Sequence, residues 1–169
     1  MDNLIIKTSE QIKNQMYVWF LQYYHQTIDN FDGTELFTFF DRVAKEKKDA
    51  YLNRITLELN EQFVFILLVK DNEVIINTTH RFIRLSEDSI ENLYYSDFEW
   101  HNGFTRIYVI SKETNTKVSI KHDGYISEFR LKKRNGKIIY WNIPTGNAGF
   151  AFWNVTKKCE LIGRKYKCI

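Results

Sequence analysis

An α+β fold is predicted: an N-terminal helical hairpin, then a mostly antiparallel β-sandwich or partly open barrel of about seven strands, capped by a C-terminal helix. Three observations predict it. Apolar residues recur at helical spacing up to Tyr51, at every second position thereafter, and at helical spacing once more beyond Pro144. Short β-favouring runs in the middle of the chain are separated by groups of Gly, Asn, Asp and Ser, the residues that make turns. The 169 residues, 44% hydrophobic and 16% aromatic, are enough to bury one core. The expected division is 1–50 for a helical hairpin packed on the sheet and 51–169 for a β domain with its C-terminal helix.

Thr8 and Gln11 have capping-box spacing, so the first helix should begin at Thr8 or Ser9. Ile12, Met16, Trp19, Phe20 and Tyr23 then fall on one helical face. Asp32-Gly33 breaks that helix, and Thr34 can cap a second one carrying Leu36, Phe39, Phe40, Val43 and Ala44 into the charged stretch 45–49. So wide an aromatic stripe must be covered by the following sheet or by another subunit, which leaves a homodimer open. From Tyr51 the period changes. Ile55, Leu57 and Leu59 alternate with polar residues and predict a half-exposed strand, while the unbroken apolar run 63–69 predicts a central one. Asp71-Asn72 turns the chain into 74–77. The runs 80–85 and 90–98 complete an antiparallel meander, with 86–89 as its turn.

Further along, His101-Asn102-Gly103 is a predicted turn, followed by a strand with Phe104, Ile107, Val109 and Ile110, a polar loop 112–116, and a strand with Val118 and Ile120. Asp123-Gly124 turns again, and Asn135-Gly136 is the strongest hairpin signal in the chain, joining a strand with Phe129 and Leu131 to 137–143. Pro144 should stop that ladder. Asn147 can cap a final helix whose Ala148, Ala151, Phe152, Val155, Cys159 and Ile162 share a face, ending at Gly163.

Within this pattern, Glu61 precedes the apolar strand 63–68, an aliphatic strand ends in Thr78 and Arg81 three apart, the apolar Phe82 and Ile83 follow, and Tyr95-Ser96-Asp97-Phe98 leads into the next strand. Residues 61–100 thus resemble the bacterial pleckstrin-homology-like (PH-like) domains, in which a Thr-x-x-Arg step joins two strands and a tyrosine-centred segment leads onward. Thr79 and His80 stand where that family usually has Asn and Lys. The resemblance implies a sheet sandwich whose open end is plugged by the C-terminal helix, burying Phe152 and Val155.

The formal charge of +3 is unevenly spread: residues 1–100 carry 10 Lys/Arg against 17 Asp/Glu, and residues 101–169 carry 14 against 4. Either two charged faces complement each other within the fold, or a basic surface is offered to an anionic partner. The two cysteines, Cys159 and Cys168, form no CxxC and have no histidine at ligand spacing. They suit a reducing interior rather than a disulfide scaffold or structural zinc site, and the chain is read as cytoplasmic. No run is long enough for a transmembrane segment, and no export signal is visible.

The sequence holds no phosphate-binding glycine loop, nucleophile elbow or metal-ligand motif, so no cofactor, no metal and no catalytic residue is expected. Only His101 and His122, with Asp97 and Asp123 near flanking turns, could converge on acid–base chemistry. The function expected is non-enzymatic recognition, first of another protein. A toxin-immunity or phage-type inhibitor protein is the second reading, from the small size and the lysine-, asparagine- and isoleucine-rich composition. The third is an anionic ligand, a phospholipid headgroup or nucleic acid, held by the basic run Arg130, Lys132, Lys133, Arg134 and Lys137 across the Asn135-Gly136 turn. Lys121, Tyr125 and Tyr140 would add stacking or hydrogen-bonding surface. Tyr94, Tyr95, Phe98 and Trp100 put aromatics on both sides of one strand, so Tyr94, Tyr95 and Trp100 join the candidate partner-binding residues.

Overall fold

In a computed structural model, which describes residues 4–70 and 72–169, the apolar run at 63–69 is the centre of the chain. It forms a strand running Phe63–Lys70, inside a five-stranded sheet that is covered on both faces, which is why it shows no alternation. The elements in order are β1 (Ile5–Lys7), α1 (Ser9–Tyr24), β2 (Phe37–Phe39), a 3-10 turn (Phe40–Arg42), α2 (Lys45–Leu52), β3 (Phe63–Lys70), β4 (Glu73–Thr78), β5 (Arg81–Leu85) and β6 (Ile90–Tyr94). Then follow β7 (Phe98–Phe104), β8 (Tyr108–Ile110), β9 (Lys117–Ser119), β10 (Ile126–Lys133), β11 (Ile138–Pro144), α3 (Gly146–Lys165) and β12 (Tyr166–Cys168). The fold is mixed α+β. Its antiparallel sheets run β2-β3-β4-β5-β6, β11-β10-β7 and β8-β9, and none closes into a barrel among the described residues.

The first helix starts as predicted, with Thr8 and Gln11 each accepting the other's backbone N–H, and it ends at His25 in the left-handed region. It buries Ile12, Met16 and Phe20; Trp19 is half-buried and Tyr23 exposed. The predicted helical partner is absent. Phe37–Phe39 is instead a strand, because its backbone pairs with Phe65–Leu67 of β3 and its two phenylalanines alternate inward around Thr38. Thr34, expected to cap a helix, accepts the N–H of Phe37 in a tight turn. Only the charged stretch becomes helical, as α2, which buries no residue. The helix that packs on α1 is α3, from the far end of the chain.

Other boundaries also differ. Residues 53–62 form no strand: Ile55 is buried but Leu59 is 87% exposed, and the segment curls around Arg81 instead of pairing. The predicted run 90–98 breaks at 95–97, and the predicted turn at His101-Asn102-Gly103 lies inside β7. Gly103 there has φ +72 at a register shift opposite Arg130, and the Trp153 indole lies where a Cβ would project. Asp71 lies outside the described residues, so of the Asp71-Asn72 turn only Asn72 is seen, at φ +57. Pro144 ends β11 but still sits in register opposite Ile126. α3 begins after Thr145, earlier than Asn147 would place it, and Asp123 accepts the N–H of Asn147 to cap it. The helix also runs through Gly163 to Lys165. Gly163 is where α3 crosses the 95–96 backbone, so close that a Cβ would collide with the Tyr95 carbonyl.

The main core lies between the two larger sheets and the α1–α3 layer. Phe152 of α3 meets Phe82, Phe129 and Phe37 at ring separations of 6.0, 5.4 and 6.4 Å, and Trp141 meets Phe82 at 5.8 Å. A smaller core covers the outer face of the five-stranded sheet, where Phe40 stacks on Phe63 at 4.3 Å with Ile66, Val74, Ile76, Ile83 and Leu85. β1 pairs parallel with β12, so the two ends of the described chain lie side by side.

One buried polar knot joins these parts. Arg81 grips both Glu61 carboxylate oxygens at 2.8 Å and donates to the Thr56 carbonyl at 2.8 Å and to the Asn92 side chain at 3.1 Å. Thr78 donates to Glu61 at 2.6 Å and accepts the N–H groups of His80 and Arg81, while its carbonyl accepts the Tyr95 hydroxyl at 2.7 Å. The Glu61 side chain is fully buried and that of Arg81 only 8% exposed. Burial alone would raise the Glu61 carboxyl, but hydrogen bonds from Arg81, the Glu58 N–H and Thr78 outweigh it and hold the pKa below the ordinary value.

Three outcomes are expected. Arg81→Met strands a buried carboxylate and should lower unfolding free energy by about 3–5 kcal/mol, read as a lower urea midpoint, with Glu61→Leu added to it restoring much of the loss. Because the folded Glu61 pKa lies below its unfolded one, its stabilisation is complete above the carboxylate range and lost as pH falls through the folded value; acid melts of Glu61→Gln should lack that part of the pH dependence. Gly163→Ala should cost about 1–3 kcal/mol by forcing α3 off the 95–96 backbone, measured by thermal melting.

Candidate functional site

Strand alternation divides β10 and β11 into a core face and an outer face. Phe129, Leu131, Trp141 and Ile143 point into the core, and Arg130, Lys132, Ile138 and Tyr140 point outward. The turn between them is a three-residue loop, Arg134-Asn135-Gly136. The N–H of Gly136 donates to Lys133, that of Lys133 to Lys137, and Gly136 has φ +86. This sets Arg130 opposite Tyr140 and Lys132 opposite Ile138, while β7 sets Trp100 beside Lys132. The Arg130 guanidinium and the Lys132 ammonium both approach the Trp100 ring, each at 5.5 Å. Such contacts are worth about 0.5–1 kcal/mol where exposed, and here they hold two cations in place. Lys132 also pairs with Glu99 at 3.1 Å, and Arg130 Nε has no hydrogen-bond partner among the described residues. The result is an aromatic-basic face on the three-stranded sheet.

The predicted partner-binding residues are only partly gathered there. Trp100, Arg130 and Lys132 meet on the face, and Lys133 and Lys137 sit at its end. Arg134 is turned to internal use, its side chain donating to the Ser96 carbonyl at 2.6 Å and its N–H to that of Asp97 at 2.8 Å. Tyr94 stands on the other sheet, donating to Glu58 at 2.6 Å beneath Arg81. Tyr95 is buried in the main core and offers no surface to a partner. Ile138 was not among the candidates. Counting outward from the Asn135-Gly136 turn would have found it, since a fixed hairpin register places it opposite Lys132.

The histidine set does not converge. The His101 ring stacks on Phe129 at 5.2 Å, and neither ring nitrogen has a hydrogen-bond partner among the described residues. Burial, with a contribution from Lys157, depresses its pKa to about 4. His122 is exposed, and Asp123 is occupied at the start of α3. Cys159 is fully buried beside Tyr95 and Asn77, and burial pushes its thiol up to about 12, away from nucleophilic use. Among the described residues, no group of three His, Cys, Asp or Glu is placed to hold a metal ion, and no helix is long and apolar enough to cross a membrane. A larger groove of about 700 Å³ runs between α2 and the five-stranded sheet over Leu36, Leu68 and Val74. Its Arg54 is committed to the Ser86 and Glu87 carbonyls. Comparison of the chain with family models, curated proteins and solved structures finds no match.

The depressed His101 value has a consequence in solution. Unfolded, this histidine protonates near pH 6.5; folded, it stays neutral until about pH 4. The folded state therefore loses stability progressively as pH falls across that window. Urea melts of His101→Phe should show a flatter stability profile between those limits than the parent protein.

Proposed function

We propose that this chain is a non-enzymatic recognition protein of PH-like architecture, which uses the outer face of β7, β10 and β11 to bind an acidic surface on another protein. The observation that carries the reading is the set Trp100, Arg130, Lys132 and Tyr140 on one sheet face. Trp, Tyr and Arg are the residue types that dominate binding energy at protein interfaces. Arg130 and Lys132 are held over an indole, so little side-chain freedom remains to be lost on binding. The excess of cations in 101–169 favours an acidic partner. The PH-like part of the reading is supported by the order of the consecutive antiparallel strands β3 to β6, the second sheet packed across them, the helix α3 buried between, and the Thr78–Arg81 step tied to Glu61.

Affinity capture from cells with the immobilised protein tests this, using a Trp100→Ala/Lys132→Ala variant with an unchanged melting profile as the control. A single acidic protein retained by the parent, released by moderate salt, and held at least about 30-fold more weakly by the variant is the expected result. Equal capture by the variant overturns the reading. So does salt-sensitive binding of oligonucleotide or anionic vesicles to the face with no retained protein.

A further inference from the structure

β7 ends before β10 does. The last ladder partners are Phe104 and Phe129, and Thr105 N–H then donates to the Glu128 carbonyl at 3.0 Å. Beyond that point the chain leaves the sheet to form β8, which among the described residues pairs only with β9. A cleft of about 400 Å³ separates β8 from the start of β10, lined by Arg106, Tyr108 and Ile110 on one side and Ile126, Ser127 and Glu128 on the other.

Each wall of this cleft carries strand-edge groups that have no ladder partner among the described residues. In an antiparallel ladder, directly bonded pairs alternate with unbonded ones. Ser111 N–H donates to Thr116 and Ile120 N–H to Ile107, at 2.9 and 3.2 Å, so Val109 is bonded to β9 while Tyr108 and Ile110 turn their N–H and C=O groups away from it. Thr145 N–H donates to Tyr125 at 2.8 Å, so Ser127 is bonded to β11 and Ile126 turns its groups toward the side that β7 has vacated. Exposed apolar side chains flank these free groups: Ile107 at 79%, Ile110 at 50% and Ile126 at 42%. Two cations and one carboxylate stand around them. Arg106 lines the cleft, Lys117 lies over the Tyr108 ring at 4.5 Å, and the lining carboxylate, Glu128, accepts a hydrogen bond from Thr105 at 3.0 Å.

We infer that this cleft takes an extended segment of a partner protein with alternating aliphatic and acidic side chains, which enters as a strand between β8 and β10. The inference rests on the recognition reading above and specifies how the partner engages. Main-chain pairing with Ile126 on one side and with Tyr108 and Ile110 on the other supplies the register. The aliphatic residues cover Ile110 and Ile126, and the acidic ones meet Arg106 and Lys117.

The probe is a short fluorescein-labelled peptide of alternating glutamate and valine, with a lysine-valine peptide as control, titrated by anisotropy into the full chain. Amide hydrogen exchange is followed by NMR. The acidic peptide should bind, the basic one should not, and exchange should slow at Tyr108, Ile110 and Ile126. Ile126→Pro and Ile110→Pro each delete one cleft-facing donor and leave the β11 and β9 ladders intact; each should weaken binding roughly 3- to 10-fold without altering the melting profile. Absent binding, equal binding of both peptides, or unprotected amides at those positions overturns the inference. Cellular capture that is lost in Trp100→Ala/Lys132→Ala but kept in Ile126→Pro overturns the cleft alone and leaves the sheet-face reading standing.

Discussion

The Arg81–Glu61 pair is the constraint on which the architecture turns. A guanidinium and a carboxylate, both almost wholly removed from water, are tolerable only when their hydrogen-bonding positions are nearly all filled, and filling them requires several parts of the chain at once. Thr56 and Glu58 come from the irregular approach to β3, Thr78 from the end of β4, and Asn92 from β6. The Thr78 carbonyl then passes the requirement to Tyr95, whose hydroxyl also lies beside Asn77 near Cys159 of α3. Two hydrophobic cores on opposite faces of one sheet are therefore aligned by a polar network that tolerates little slippage. Apolar packing supplies most of the stabilisation, and this network selects which arrangement of it is reached.

The same network explains why the chain spends ten residues, 53–62, on backbone that is neither helix nor strand. Their contribution is geometric: Ile55 anchors the loop in the outer core, and the Thr56 carbonyl and Glu61 carboxylate that follow it wrap Arg81. The aromatic-basic face depends on this only indirectly. The corner after Tyr95 fixes where β7 starts, and Arg134 ties the far hairpin to that corner through Ser96 and Asp97. The aromatic-basic face is thus braced from its own tip.

How much of this was legible in the sequence depended on whether local pattern or distant pairing decided each element. α1, β3 to β5, the Asn135-Gly136 hairpin and the buried stripe of α3 follow from capping chemistry, turn chemistry and periodicity, which act over a few residues. The segment Phe37–Phe39 reads as helix because Leu36, Phe39, Phe40, Val43 and Ala44 recur at helical spacing, and only the edge of β3 reveals that a strand is wanted there. Gly103 and Gly163 read as punctuation, but one marks a bulge under Trp153 and the other the crossing of α3 over the Tyr95 carbonyl. Close approach between distant segments leaves no local signature beyond the glycine itself. Of the candidate site, the cations and Trp100 could be picked out, whereas Tyr95 could not be told from a surface aromatic, since whether a tyrosine on a strand faces core or solvent depends on what lies across from it.

The parallel pairing of β1 with β12 has a mechanical consequence. Ile5 lies opposite Tyr166 and Lys7 opposite Cys168, so tension drawn along the polypeptide would enter at the leading end of one strand and leave at the trailing end of the other. The rungs of that ribbon would be strained together, by sliding, and could not be peeled apart one at a time. A molecule tethered through both of its ends would resist extension first at this small clasp, with α1 and α3 shielded behind it until the clasp let go.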